Sequence, residues 1–248
     1  MTASVINPVI RGVINDVIQS DEFIFSADDP KVLAWYDDNR VSNTLFDESP
    51  NSNDATITGA TTITGHIGDA LAHDGVNDQT SMPGGLGPSI KAVAAWFRTD
   101  GTSSYFILNS AADPFIGDGS FATLLLLTSG KFTLDHNIFG GGAQTNLQTV
   151  STFAFNTWHL GIMQQNAAGN GIEMFVNDQS ESFTTVIGTD TGQFFNTTTT
   201  NTLNMGARGV SDSPIFRKGD NDQLIISSER FTAEERASIW NNGTGRPA

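Results

Sequence analysis

Ala92-Val93-Ala94-Ala95-Trp96-Phe97, six apolar residues in a row, lies between the breaker Pro83-Gly84-Gly85 and a second apolar run, Tyr105-Phe106-Ile107-Leu108. A run this short, ending in aromatics and bounded by turn residues, reads as a β-strand. The pattern extends in both directions from Val32 onward. Thr123 to Leu127, Lys131 to Leu134, Ile172 to Val176, Thr202 to Met205 and Gln223 to Ile226 are further short β runs. Asp118-Gly119, Gly140-Gly141-Gly142 and Asn177-Asp178 separate them with residues that tolerate positive φ. Strands at this density, with no strand–helix alternation, predict an all-β, two-sheet antiparallel sandwich. One helix is signposted near residues 232–241. Thr232 and Glu235 have capping-box spacing, Ala233, Ala237 and Trp240 share a face, and Gly243 offers a stop. It is expected as a short lid across an edge or end of the sandwich. Thr197 to Thr200 reads as a loop or an edge strand.

The chain has 248 residues, enough for one large all-β domain without metal or disulfide staples. Its formal charge of −15 repels phosphate backbones and anionic lipid, so neither nucleic acid nor membrane insertion is expected. Divalent cations, neutral glycans or a basic protein face suit it better, although such acidity also serves solubility alone. Cysteine is absent, which removes disulfides, thiolate catalysis and Cys-ligated zinc. Met1-Thr2-Ala3-Ser4 does not begin a secretory signal, and no apolar run approaches the ~20 residues that span a bilayer. The expectation is a soluble chain, kept in the cell that makes it or exported by a route not visible in the sequence.

Residues 1–26 differ from the domain expected over 27–248. Val5-Ile6-Asn7-Pro8-Val9-Ile10 recurs as Val13-Ile14-Asn15-Asp16-Val17-Ile18. Its apolar residues are all β-branched, and Pro8 and Gly12 interrupt it, which favours an extended arm or a short broken helix. Val5, Ile6, Val9, Ile10, Val13, Ile14, Val17 and Ile18 either pack on the domain's own surface or form an assembly arm. Such an arm docks on another copy or on another structural protein.

Laid in order, the segments resemble a laminin G-like jelly roll of the concanavalin A-like superfamily. Val32 to Tyr36 resembles the opening strand, and Asp47 to Thr56 the "D-x-S-G-N-G-N-x-x-T" stretch after it. Gly68 to Asp78 resembles "G-x-A-L-x-F-D-G-x-x-D", and Ala92 to Arg98 the strand centred on a tryptophan. Asn156 to Leu160 resembles "W-H-h-V", with h hydrophobic, and Met174 to Asp178 resembles "L-Y-V-N-G". Asn221 to Ile226, through Glu234-Glu235, resembles the last strand and helix. The resemblance spans about residues 32 to 243. In this sequence His73 stands where an aromatic is usual, Gln223 replaces an acid and Asn221 an apolar residue. Asp222 matches the acid that in many relatives binds or neighbours a structural calcium, so calcium is the cofactor the resemblance implies. Otherwise Asp222 only accepts backbone amides near the Asn53-Asp54 turn. Asp220 and Asp37-Asp38 are less specific calcium candidates, and Asp74 and Asp78, flanking Gly75, read as turn-formers.

The superfamily includes glycoside hydrolases, whose retaining mechanism needs two carboxylates about 5–5.5 Å apart. The strand pattern E-x-D-x-x-E is absent. Glu173 sits in a strand, but Asn177 follows at i+4; Glu48, Glu181, Glu229, Glu234 and Glu235 lie in turn-like or helical segments. His66, His73, His136 and His159 form no metal or triad signature. His159 reads as structural, and His136, beside Asp135, as structural or lining a ligand face. Trp35, Trp96, Trp158 and Trp240 read as core, which leaves Tyr105, Phe115 and Phe139 as aromatics for a glycan site. These features predict a non-catalytic, adhesive component of a larger particle: a phage head decoration, head fibre or tail-associated protein, located in the virion. The alternative is an extracellular bacterial lectin; a glycosidase is least favoured.

Overall fold

The computed structural model describes residues 25–37, 39–84, 86, 90–111, 121–137, 145–190, 202–208 and 215–247. Two antiparallel sheets make the sandwich expected from the sequence. One has eight strands, in the order Gln179–Glu181, Ile172–Val176, His159–Gln165, Ala92–Arg98, Lys218–Ser227, Asp69–Asp74, Thr61–Thr64, with Val32–Tyr36 also paired to Lys218–Ser227. The other has ten: Phe183–Ile187, Thr145–Thr149, Phe132–Asn137, Phe121–Leu126, Tyr105–Ala111, Leu203–Met205, Gln79–Met82, Ala55–Thr58, Thr44–Leu45, Arg40–Val41. A two-strand ladder, Ala207–Arg208 with Ile215–Phe216, stands apart. At the hairpin joining Ile172–Val176 to Gln179–Glu181, Asn177 and Asp178 take φ of 53° and 60°. That is the backbone a two-residue hairpin loop requires.

Ala92–Arg98 is apolar on both faces because both are buried. Val93, Ala95 and Phe97 point into the core between the sheets, with Leu224, Ile226, Met163, Leu134 and Leu147. Ala92, Ala94 and Trp96 point outward into a second apolar layer with Trp35, Leu160, Ile162, Ile225, Phe25, Phe231 and Ile239. The helix, Ala233–Trp240, lies in that layer and so covers the sheet's outer face rather than an edge or end of the sandwich. Its capping box is formed: the Thr232 hydroxyl accepts from Glu235 N at 3.2 Å, and the Glu235 carboxylate accepts from Thr232 N at 2.7 Å. The buried face is only in part the one expected: Trp240 packs inward, the two alanines do not. Glu235 and Ile239 are buried while Ala233 and Ala237 are exposed. Ile239 and Trp240 fill the apolar layer, and Glu235 turns inward to pair with Lys31. Asn241, left-handed at φ 45°, caps the end two residues before the expected Gly243.

The eight Val and Ile residues of the arm lie outside the described residues, as does the Thr197–Thr200 run. Phe25, where the description begins, stacks on Trp35 at 5.5 Å and meets Phe231 edge-on at 5.4 Å.

His73 and Asn221, two residues singled out in the sequence, meet inside the sandwich. Tyr105 Oη donates to Asn221 Oδ1 and contacts His73 Nδ1 at 3.2 Å, and His73 Nε2 is 3.2 Å from Thr80 Oγ1. All four residues are buried. Burial pulls His73 from 6.5 down to about 4, so it is neutral near pH 7. The unfolded chain takes up this proton near pH 6.5, whereas the folded chain refuses it until about pH 4. Stability that is complete above pH 6.5 should therefore be lost as pH falls toward 4, by a ceiling on the order of 3 kcal/mol. In His73→Phe the loss between these pH values should shrink to a residue left by His136, which burial also pulls down. Urea melts across that range check this; an unchanged slope would show that His73 does not carry it.

Candidate functional site

Asp222 is a loop clamp. Its Oδ2 accepts the backbone amides of His66 and of Ile67, the latter at 2.7 Å, so the amides it holds are at residues 66–67 and not at the Asn53-Asp54 turn. That turn belongs to Asp47, whose carboxylate accepts from Trp35 N, Ser49 N and Asn53 N, each at 2.9 Å. Asp222 Oδ1 is buried and makes no hydrogen bond, and desolvation raises the pKa of the group. No cluster of three His, Asp or Glu side chains suited to a metal occurs among the described residues. Asp74 and Asp78 form the expected turn: Asp74 Oδ1 accepts from Val76 N at 2.7 Å, and Asp78 Oδ2 from Asp74 N at 2.8 Å.

Other candidates resolve into structure. His159 is buried, with Nε2 2.9 Å from Ala154 O. His136 is buried on the face opposite Asp135, so it lines no surface with it. Glu173 is tied to Arg230 and Gln164, each at 2.8 Å. Trp35 and Trp96 are buried, and Trp158 and Trp240 pack against the same outer layer. Tyr105 is fully buried between the sheets and is not available as a sugar platform. Phe115 and Phe139 lie outside the described residues.

The opposite side of the sandwich carries a different surface. Across the ten-stranded sheet, Thr44 pairs with Thr56, Thr56 with Ser81, Ser81 with Asn204, and Asn204 with Asn109. Asn109 and Asp135 both pair with Thr123, and Asp135 pairs with Asn146. This is one row, in register. The intervening residues Leu45, Ala55, Ile57, Met82, Leu203, Met205, Leu108, Leu134 and Leu147 fill the core between the sheets. Strand alternation therefore places the row on the outer face. It is exposed at Thr56, half-buried at Ser81, Asp135 and Asn146, and buried at Asn109 and Asn204.

Polar contacts fix its side chains. Ser81 Oγ donates to Asn204 Oδ1 at 2.7 Å, and Gln148 Nε2 to Asn146 Oδ1 at 2.9 Å. Asn204 Nδ2 and Asp135 Oδ1 are buried without a hydrogen bond. Beside the row, Phe106 is buried on the same face, with the Arg217 guanidinium 5.7 Å from its ring centre. Gly206 places that cation. It has φ of +75°, donates to Phe106 O at 3.0 Å and accepts from Arg217 N at 2.8 Å. A Cβ on it would stand 2.3 Å from the His73 ring. Burial lowers the Arg208 pKa, and the charge of Asp135 opposes that shift. Asp135 is the one acid in the described strands of this sheet.

Sequence reasoning missed this row because its members lie between positions 44 and 204, and only strand pairing aligns them. One signal was present: Asn204 stands inside the Thr202 to Met205 run, where strands disfavour asparagine, while Asn109 and Asn146 lie in strand residues beyond the β runs visible in the sequence.

No protein-family model and no curated protein matches the chain. Solved structures do. The fold is concanavalin A-like. Domain 4 of a GH43 extracellular arabinanase from Geobacillus stearothermophilus, in complex with arabinotriose, is similar at a TM-score of 0.64 and 20% identity, covering 87% of this chain and 98% of that one. Trypanosoma rangeli sialidase in complex with sialic acid is similar at a TM-score of 0.63 and 9% identity, covering 96% of this chain. The chain spans 39% of the sialidase's length. Both similarities are to glycoside hydrolase structures, and neither is to a virion component. They overturn the expectation of a phage decoration, head-fibre or tail-associated protein.

Proposed function

We propose that this chain is a non-catalytic carbohydrate-binding domain that holds an oligosaccharide along the outer face of its ten-stranded sheet. The observation that carries this reading is the in-register row of hydroxyl, amide and carboxylate side chains from Thr44 to Asn146. Such groups match the hydroxyls of a sugar. Buried polar atoms are nearly always paired, so Asn204 Nδ2 and Asp135 Oδ1 mark positions for a ligand's acceptor and donor. The similar arabinanase domain, which was solved with arabinotriose, supplies the first probe. The acids support binding rather than cleavage in this reading: hydrolysis by paired carboxylates needs two, and Asp135 is the one acid in the described strands of its sheet.

Titration calorimetry with arabinotriose and other short oligosaccharides should register binding, with no shorter sugars released. Asn146→Ala and Asp135→Asn should each weaken it about tenfold, the loss of roughly one good polar contact, at unchanged melting temperature. All four tryptophans belong to the outer layer of the opposite sheet, so saturation should leave their fluorescence unchanged. Variants that bind like the parent, or a chain that binds no oligosaccharide, would reject the proposal.

We also propose that Asp222 Oδ1 ligates a calcium ion. A buried carboxylate oxygen with no hydrogen bond is a fitting position for a hard cation, whose remaining six or so ligands would be carbonyl oxygens and water. Because calcium binds the folded state, millimolar calcium should raise the melting temperature by a few degrees over chelator-treated protein. Equal melting temperatures would leave Asp222 as the clamp of residues 66–67 alone.

A further inference from the structure

The crossing of Tyr105–Ala111 with Leu203–Met205 is rich in hydrogen-bond donors. Asn204 pairs with Asn109 there, and two residues later Gly206 bonds to Phe106 O and to Arg217 N. Asn204 and Arg217 thus flank one junction on the outer face, with Phe106 beneath the guanidinium. The Ser81 hydroxyl occupies Asn204 Oδ1, so the amide is turned with its N–H group unused. Arg217 Nε is likewise buried with no hydrogen bond. None of the ion pairs among the described residues involves Arg217. The acid on this face, Asp135, acts on Arg208.

A neutral hydroxyl can accept from either donor, but it leaves the half-buried Arg217 charge without a counter-charge and the buried Nε with at most a neutral partner. A carboxylate has only acceptors, matches the planar fork of arginine and makes charge-assisted hydrogen bonds about twice as strong as neutral ones. We infer that the face selects acidic sugars, with the ligand's carboxylate held between Arg217 and Asn204. This rests on the reading of the face as a carbohydrate site and names the class of sugar it takes. The selection is local, since a chain of net charge −15 repels anions at long range.

The test uses the full chain and matched pairs: sialyllactose against lactose, and trigalacturonate against galactotriose, by titration calorimetry. The acidic member of at least one pair should bind about tenfold or more tightly, equivalent to about 1.4 kcal/mol. Arg217→Gln should bring the acidic-to-neutral ratio close to one, and Arg217→Lys, which keeps the charge but loses the fork, should restore part of it. Asn204→Asp, which replaces the donor by an acceptor, should lower the ratio too, with thermal melts checking that each variant folds. The parent protein's own selectivity needs no variant. If it binds the neutral members as well as the acidic ones, the inference is overturned and the carbohydrate-binding reading stands. If neither the pairs nor arabinotriose bind, that reading fails and takes the inference with it.

Discussion

The central strands of the eight-stranded sheet are buried on both faces, and the placement of the helix and of the Phe25 segment follows from that. Ala92–Arg98 shows it at the level of single residues, with alternate side chains entering two separate apolar layers. The outer layer closes through aromatic contacts, Trp96 against Trp240 at 5.4 Å and Phe25 against Trp35 at 5.5 Å. Each such contact is worth about 0.5–1.5 kcal/mol beyond the area it buries. A helix and the segment from Phe25 are spent on covering this sheet. Among the described residues, no second apolar layer of this kind lies on the outside of the ten-stranded sheet, where the polar row runs.

Interior and face are connected through Gly206. His73, Tyr105 and Asn221 join the two sheets through side-chain contacts, and the His73 ring fills the space under Gly206. Gly206 in turn bonds to the backbones of Phe106 and Arg217. In the sequence, His73 and Asn221 look like two unrelated polar residues. In three dimensions they are one polar unit, joined through Tyr105 with Asn221 Nδ2 left without a hydrogen bond, that sits behind the junction proposed to hold a ligand.

Much of the fold was legible in the sequence. Ile172–Val176 forms as read, and the Asn177-Asp178 turn and the Thr232–Glu235 cap are local chemistry that needs no tertiary information. The position of the helix was not legible, because its burial is set by Ile239, Trp240 and the inward-turned Glu235 meeting a distant sheet. Function was the least legible. Loops and aromatics carry the candidates that sequence patterns point to, whereas the polar row is spread over strands whose register only folding creates. Tyr105, read as an available aromatic, is a core residue whose hydroxyl serves Asn221.

The central claim is that ligand meets the outside of the ten-stranded sheet. Backbone amide chemical shifts of the isotope-labelled chain, followed during titration with an oligosaccharide that calorimetry shows to bind, test it most directly. The account predicts shifts along Gln79–Met82, Leu203–Met205, Tyr105–Ala111, Phe132–Asn137 and Thr145–Thr149, with residues around Trp96, Trp158 and Trp240 unmoved. Shifts concentrated around those tryptophans and the Ala233–Trp240 helix, with the polar row silent, would contradict it.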